Sequence, residues 1–447
     1  MKCTLEEANV YFQESIHLFH EFQWLFQHPV IEILIHNYFK SFPQDWLEAL
    51  KNLSTEELND FANGKLMKDN WPKTLELFIK KCKKLNKLPP APQLSNPQLP
   101  KSFLSGLSLK KQHEIFYLSQ VVHQKCVTNG IRIIVDFGAG LGYICQLLNY
   151  LYDYTVIGLE SNENNVKIAK KRQTELYSQS IGSVKFIHIK VNKDCEDEIR
   201  SFIRICKYSQ CNYNFCLIGL HACADLSVNA CKLFSKMDEA KVLIIVSCCY
   251  HKLQIDEKNK FINFPLSKML KNILDNHESH IQKVFGKTFL RLACQEPASR
   301  WENMSKITHE HHAFHVLARA VIELFIYENN ISLTKCVQKA TRKTQCSSFH
   351  QYLLDTLNRY KFNNIKVFDN EQLKEKLLRL WELHKDKMED VEIYTALQCL
   401  LQMSAESLVL YDRCCWLLEN NYSTEIVTIL NNKISPRCYA IISNKIN

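Results

Sequence analysis

Apolar positions along this chain fall into two rhythms, and their alternation predicts the fold. Five short runs rich in β-branched residues, at 131–135, 155–160, 184–189, 215–220 and 242–246, are too short for helices and too continuously apolar for half-exposed strands. Such runs mark strands buried on both faces of a parallel sheet. Between them apolar residues recur at helical spacing: Ile144, Leu147, Leu148 and Leu151, then Ile199, Phe202, Ile203 and Cys206, then a helix from Leu226. Strands alternating with helices build a doubly wound α/β sheet. Far downstream, a helical pattern over 408–418 precedes two β-branched runs, 425–430 and 437–443. Asn431-Asn432-Lys433-Ile434-Ser435-Pro436 divides them, which predicts a hairpin.

The flanks are helical. Residues 1 to 87 place Ile31, Leu34, Ile35 and Tyr38 on one helical face and Leu75, Phe78, Ile79 and Cys82 on another, with Trp46 and Trp71 as packing anchors. Leu88-Pro89-Pro90-Ala91-Pro92 opens a proline-rich linker to Pro100 that cannot continue a helix. From 263 to 404 the strand rhythm gives way to long helical patterns such as Phe314, Leu317, Ala318, Val321, Leu324 and Phe325. His309, His311, His312 and His315 lie on that pattern without a carboxylate or cysteine at metal-ligand spacing, so they read as a polar helix face. The expected divisions are a helical region with linker at 1–100, a sheet domain at 101–262, a mainly helical insertion at 263–404, and the closing helix and hairpin at 405–447.

The loop after the first strand carries the candidate chemistry. Asp136-Phe137-Gly138-Ala139-Gly140-Leu141-Gly142-Tyr143 reads as a strand end, a glycine turn that lets the backbone approach a ligand, and a helix start. The second strand ends at Glu160, placed to accept both hydroxyls of a ribose, with Ser161 beside it. Dinucleotide loops spell G-x-G-x-x-G, whereas here an acid precedes the first glycine and the third glycine of that interval is missing. A carboxylate would repel a pyrophosphate but suits a sulfonium and an amino group. The pattern therefore points to S-adenosylmethionine, with Asp136, Phe137, Gly138, Ala139, Gly140, Gly142, Tyr143, Glu160 and Ser161 as its contacts and His221 completing the set.

Composition narrows the class further. The 447 residues, 46% hydrophobic and 23% charged, suffice for two or three units with a large core. No run approaches the roughly 20 apolar residues of a membrane span. Glu6, Glu7 and Glu14 argue against a signal or mitochondrial presequence, so a cytoplasmic or nuclear protein is expected. Nineteen cysteines then read as reduced thiols, many of them buried. A net charge of +9 permits nucleic acid without demanding it.

An acceptor would sit at the carboxyl ends of the strands. The fourth strand runs into His221-Ala222-Cys223-Ala224-Asp225 and the fifth into Cys248-Cys249-Tyr250-His251. His221, Asp225 and His251 are placed to orient or deprotonate an acceptor, and Cys248, Cys249, Tyr250 and His251 to line its pocket. Plainer roles stay open: Asp225 capping the following helix, and the thiols inert. Zinc held by His221, Cys223, Cys249 and His251 is geometrically conceivable, but no metal is expected. An adenine-amine acceptor would call for an Asn/Asp-Pro-Pro-Tyr type of loop, which His221-Ala222-Cys223-Ala224 is not.

Taken with Leu109-Lys110-Lys111-Gln112-His113-Glu114, Trp71-Pro72, Phe264-Pro265-Leu266-Ser267, Tyr411-Asp412-Arg413 and Ser435-Pro436-Arg437, these segments resemble the methyltransferase-like protein 25 family. The likeness runs through most of the chain. It implies an S-adenosylmethionine-dependent methyltransferase on a Rossmann-like methyltransferase sheet, which such enzymes close with a C-terminal antiparallel hairpin. One departure stands out: Ala224 occupies a position where the family tends to have glycine. The loops are also similar, more weakly, to those of tRNA acceptor-stem ribose 2′-O-methyltransferases. That likeness favours RNA as acceptor and makes Lys111, Arg413 and Arg437 phosphate-facing candidates. A protein substrate and a non-catalytic cofactor-binding scaffold are the alternatives, and oligomeric state is left open.

Overall fold

The computed structural model describes residues 4–92, 94–95, 97–104, 106–205, 213–295, 297–337, 348–363 and 370–445. Five parallel strands, β1 (Ile133–Phe137), β2 (Thr155–Glu160), β3 (Val184–His188), β4 (Phe215–Cys223) and β5 (Ala240–Cys248), alternate with helices. A small antiparallel ladder, β6 (Ser332–Lys335) with β7 (Tyr360–Asn363), forms a separate two-stranded sheet. The closing hairpin is β8 (Ser423–Thr428) and β9 (Tyr439–Asn444). The main sheet runs β3-β2-β1-β4-β5-β9-β8, with β9 antiparallel to both its neighbours. β1 is buried along its whole length, as the apolar run Ile133-Ile134-Val135 requires, and that burial takes in Asp136 as well.

Two strands run further than their apolar spelling suggests. β4 continues through His221-Ala222-Cys223 and β5 through Ser247-Cys248, with the register shifting between Leu220 and Ala222. The candidate acceptor residues thus begin inside the ladder and not in free loops. The helix Glu196–Ile205 carries the predicted face at Ile199 and Ile203; Cys206 lies outside the described residues.

The chain forms two compact units: Met1–Leu18, Leu85–Ser299 and Met403–Asn447, which holds the main sheet, and Phe19–Lys84 with Arg300–Gln402. These bounds differ from the expected divisions at both ends. Residues 1–18 belong with the sheet because the Tyr11 hydroxyl bonds Ser407 Oγ at 2.9 Å and its ring lies 4.6 Å from that of Tyr411. Residues 263–299 join it too, tied by Arg437 to the Ala293 and Gln295 carbonyls and by the Ser299 hydroxyl to the Asn432 carbonyl. Nor does the proline-rich stretch stand clear, since Leu94 and Leu99 pack on the sheet unit's core.

In the second unit Trp46 packs on Phe22 and Phe78, and Trp71 on Phe61. Leu75, Phe78, Ile79 and Cys82 form one buried stripe of the helix Lys73–Leu85. Ile31, Leu34, Ile35 and Tyr38 do not share a helix: a 3₁₀ turn at Val30–Glu32 is followed by turns, and Asn37, at φ 51°, breaks the chain direction. His309 and His312 both bond the Glu392 carboxylate, at 2.5 and 2.6 Å, and His309 also bonds Asn59 Oδ1, which accounts for two of the four histidines by internal pairing. One helical run, Glu371–Glu419, contains a window whose length and mean composition would suffice to cross a membrane, although it holds no continuous apolar run of that length. That window is 94% buried inside the protein, as a core helix is.

Candidate active site

Three glycines carry the chain off β1 in conformations that a side chain resists. Gly138, Gly140 and Gly142 have φ of 79°, 56° and 75°. The Gly138 and Ala139 amides donate to the Leu159 carbonyl, which stitches the loop to β2. A Cβ on Gly142 would lie 2.3 Å from the Phe186 ring, whereas one on Gly140 meets nothing within 4 Å. Gly142 is therefore a packing glycine, and Gly140 borders an open cradle.

Both carboxylates of the cradle sit where the sequence placed them. Glu160 accepts the Gly140 amide at 2.9 Å and the Asn162 amide at 2.8 Å, which fixes its orientation before a ribose diol arrives. Asp136 is 1% exposed; one oxygen accepts the Cys145 thiol at 3.2 Å, and the other has no partner among the described residues. Burial pushes its carboxyl up to about 6. A buried oxygen lacking a donor costs roughly 1–3 kcal/mol, and a cationic ligand group would relieve it. The donors and open space thus fit S-adenosylmethionine. Phe137 is buried beneath the loop, Tyr143 is clamped by Arg172 over its ring and at its hydroxyl, and the Ser161 carbonyl pairs with His188 Nε2.

The acceptor end holds three non-glycine residues at positive φ: His221 (57°), Ala224 (49°) and Cys249 (52°). Such conformations cost on the order of 1–3 kcal/mol each and cluster where function over-determines geometry. Ala224 shows why a glycine suits that position. His221 Nε2 lies 2.8 Å from Glu114 Oε1, in the helix Leu109–Thr128. Glu114 is 2% exposed; burial alone would raise its carboxyl, but the bond from His221, the charges of His221 and Lys111, and the Ser435 hydroxyl hold it down at about 2.

Asp225 is not the cap of its helix, because Ala224 holds that position and Asp225 opens the first turn. Its oxygens accept the Gln254 amide at 2.9 Å and the Asn263 side-chain amide at 2.7 Å, so it anchors the segment after β5. His251 Nδ1 lies 3.0 Å from Cys294 Sγ, and burial lowers its basicity. Tyr250 is fully buried, with its hydroxyl on Glu406. Cys223 Sγ lies 2.8 Å from Cys248 Sγ, and Cys249 completes a cluster of three thiols.

The phosphate-facing candidates need correction. Arg413 is 3% exposed, its guanidinium over the Tyr250 ring, and Arg437 is buried with Nη1 on Glu406 at 2.6 Å. Both are internal supports of the Cys248–His251 segment, Arg413 through the Tyr250 ring and Arg437 through the Glu406 carboxylate that the Tyr250 hydroxyl also bonds. Lys111 keeps partial exposure but pairs with Glu114 at 3.3 Å.

Glu114 and Asp412 were not singled out as site residues from sequence. Asp412 receives the Leu266 and Ser267 amides and the Ser267 hydroxyl, which explains why those segments are spelled together. A signal existed for Glu114: it shares an i, i+4, i+8 stripe with the buried Leu118 and Val122, and an acid on an apolar stripe calls for a buried partner.

Residues 110–256 match a family described as "Methyltransferase domain". This match covers the glycine loop and the ends of β4 and β5, and with the cradle it defines a domain of the S-adenosylmethionine-dependent methyltransferase superfamily. Over 240 residues the chain is 27% identical to "Probable methyltransferase-like protein 25" of Mus musculus and, likewise, of Homo sapiens. Over that stretch the chain is similar to members of that family. The aligned stretch is 51% of this chain and 37% and 36% of those relatives' own length. Among solved structures, coclaurine N-methyltransferase aligns with 12% identity over 93% of this chain and 99% of its own, at a TM-score of 0.25. Magnesium protoporphyrin IX methyltransferase from Synechocystis PCC 6803 aligns at 18% over 32% and 63%, with a TM-score of 0.22.

Proposed function

We propose that this methyltransferase acts on RNA and that its acceptor is a ribose hydroxyl. The carrying observation is the Glu114–His221 pair at the end of β4. When bound, S-adenosylmethionine supplies a methyl group on a sulfonium, and a hydroxyl acceptor must lose its proton as it attacks. An ionised Glu114 beside Nε2 favours the tautomer with its proton on Nε2, leaving Nδ1 as the basic nitrogen. The carboxylate also stabilises the imidazolium that forms, as in other oriented histidine bases. This assigns the base to His221, because Asp225 is spent on anchoring and His251 is depressed by burial. RNA is favoured by the likeness of the strand-end loops to acceptor-stem ribose methyltransferases, and the net charge of +9 is compatible with it.

The test is transfer of a labelled methyl group from S-adenosylmethionine into extract from cells lacking the protein, followed by separation of RNA from polypeptide. Label in RNA is expected from the wild type. His221→Ala should lower turnover by about 10²–10⁴-fold. Label in polypeptide would favour a protein substrate, and cofactor binding without label a scaffold.

A further inference from the structure

We propose that Cys223 and Cys248 form a redox-active dithiol: an internal disulfide site at the open ends of β4 and β5, oxidised by a hydroperoxide. The two residues are register partners on adjacent parallel strands. Neighbouring strands lie about 4.8 Å apart, within the 4.4–6.8 Å Cα separation that a disulfide spans. Their sulfurs are 2.8 Å apart, already inside the contact distance of two unbonded sulfurs. That spacing argues against a shared metal, since two thiolates bound at about 2.3 Å around a tetrahedral zinc stay about 3.8 Å apart.

The pair is asymmetric in the way such chemistry needs. Cys223 is exposed, while Cys248 is buried, its sulfur also 3.6 Å from the His221 carbonyl oxygen. The Cys248 thiol beside it lowers Cys223 to about 6, against the opposing effect of burial, and Cys249, His221 and Lys252 help; the same contact raises Cys248. Cys223 is thus the attacking thiolate and Cys248 the resolving thiol. Among the described cysteines only Cys336 is also exposed, and it belongs to neither cluster of candidate ligands found among the described residues.

The Cys223 sulfur attacks the terminal peroxide oxygen of R–O–O–H; the O–O bond breaks, and R–OH leaves with one thiol proton. Cys248 Sγ then attacks the sulfur of the Cys223 sulfenic acid; the S–O bond breaks, and water leaves with the second thiol proton. Two thiols and one hydroperoxide become one disulfide, one alcohol and one water. This inference stands on the thiol geometry and does not depend on which acceptor the enzyme methylates.

The experiment treats the reduced full chain with hydrogen peroxide, blocks the remaining thiols with iodoacetamide, and maps peptides by mass spectrometry. A Cys223–Cys248 cross-linked peptide that dithiothreitol reverses is expected, with Cys223 protected from alkylation at least about tenfold faster than Cys336. Cys248→Ser should instead leave a dimedone-reactive sulfenic acid at Cys223, and Cys223→Ser should abolish both products. If peroxide leaves Cys223 and Cys248 alkylatable in the wild type, or drives Cys223 to sulfinic acid with no cross-link, the proposal fails. One bound zinc per purified chain, released only when these thiols are substituted, would also overturn it. The wild-type map decides even where a variant does not fold.

Discussion

Asp136 joins structure to ligand by the state of one carboxyl. Burial raises it from 3.8 to about 6, so ionisation opposes the ligand-free fold between those values, by about 3 kcal/mol once fully ionised. A bound ammonium or sulfonium reverses the preference. Affinity for S-adenosylmethionine should therefore rise as pH increases through about 6, and calorimetric titration from pH 5 to 7.5 should show it. Asp136→Asn should flatten that profile and weaken binding by about 1–3 kcal/mol, while stabilising the ligand-free protein at pH 7. A variant that loses stability and keeps its pH profile would remove Asp136 from the site. At this scale the positions of Asp136 and Glu160 toward strand ends were legible, because each follows a β-branched apolar run. It misled for Arg413 and Arg437, because residue type does not reveal which way a cation on a packed helix points.

The glycine loop separates packing from binding within a single element. Gly142→Ala would drive a methyl group into Phe186 and add the strain of positive φ, so the variant should fold poorly. Gly140→Ala carries only that strain, on the order of 1–2 kcal/mol, and should fold but lose cofactor, since its methyl group projects into the cradle. Thermal unfolding and cofactor titration of the two variants check this contrast; equal damage to both properties in both variants would dissolve it. The parallel strands were legible as elements because burial on both faces leaves a continuous apolar spelling. The ends of β4 and β5 were not, since Cys223, Ser247 and Cys248 carry polar or thiol side chains while their backbones remain in the ladder, beyond the register shift that skips His221. The β6–β7 ladder was missed for a related reason: Ser332–Lys335 is largely exposed and shows no apolar run. The turn at Asn37 was hidden by apolar residues whose spacing imitates a helix.

The sheet unit is assembled from three separated stretches of chain, and Glu114 draws contacts from several parts of it. Its Oε1 receives both His221 from β4 and the Ser435 hydroxyl from the loop between β8 and β9, with Lys111 at Oε2, while neighbouring His113 Nε2 accepts the Asn431 amide. The early helix is thereby fastened to the last hairpin. A carboxyl held at about 2 in the folded state, against 4.5 when unperturbed, contributes stability that is fully present above 4.5 and is lost as pH falls toward 2. The shift corresponds to about 3 kcal/mol at neutral pH, an upper figure because Glu114→Gln retains some of the hydrogen bonds. Urea unfolding of Glu114→Gln should therefore show a deficit of about 2–3 kcal/mol at pH 7 that shrinks progressively below pH 4. A deficit unchanged down to pH 3 would mean that shape, and not charge, makes Glu114 the fastening between these stretches. If the deficit does follow the carboxyl, the charge that orients His221 is also the charge that closes the sheet unit. Catalytic loss in this variant must then be measured at pH 7 on the fraction shown to be folded.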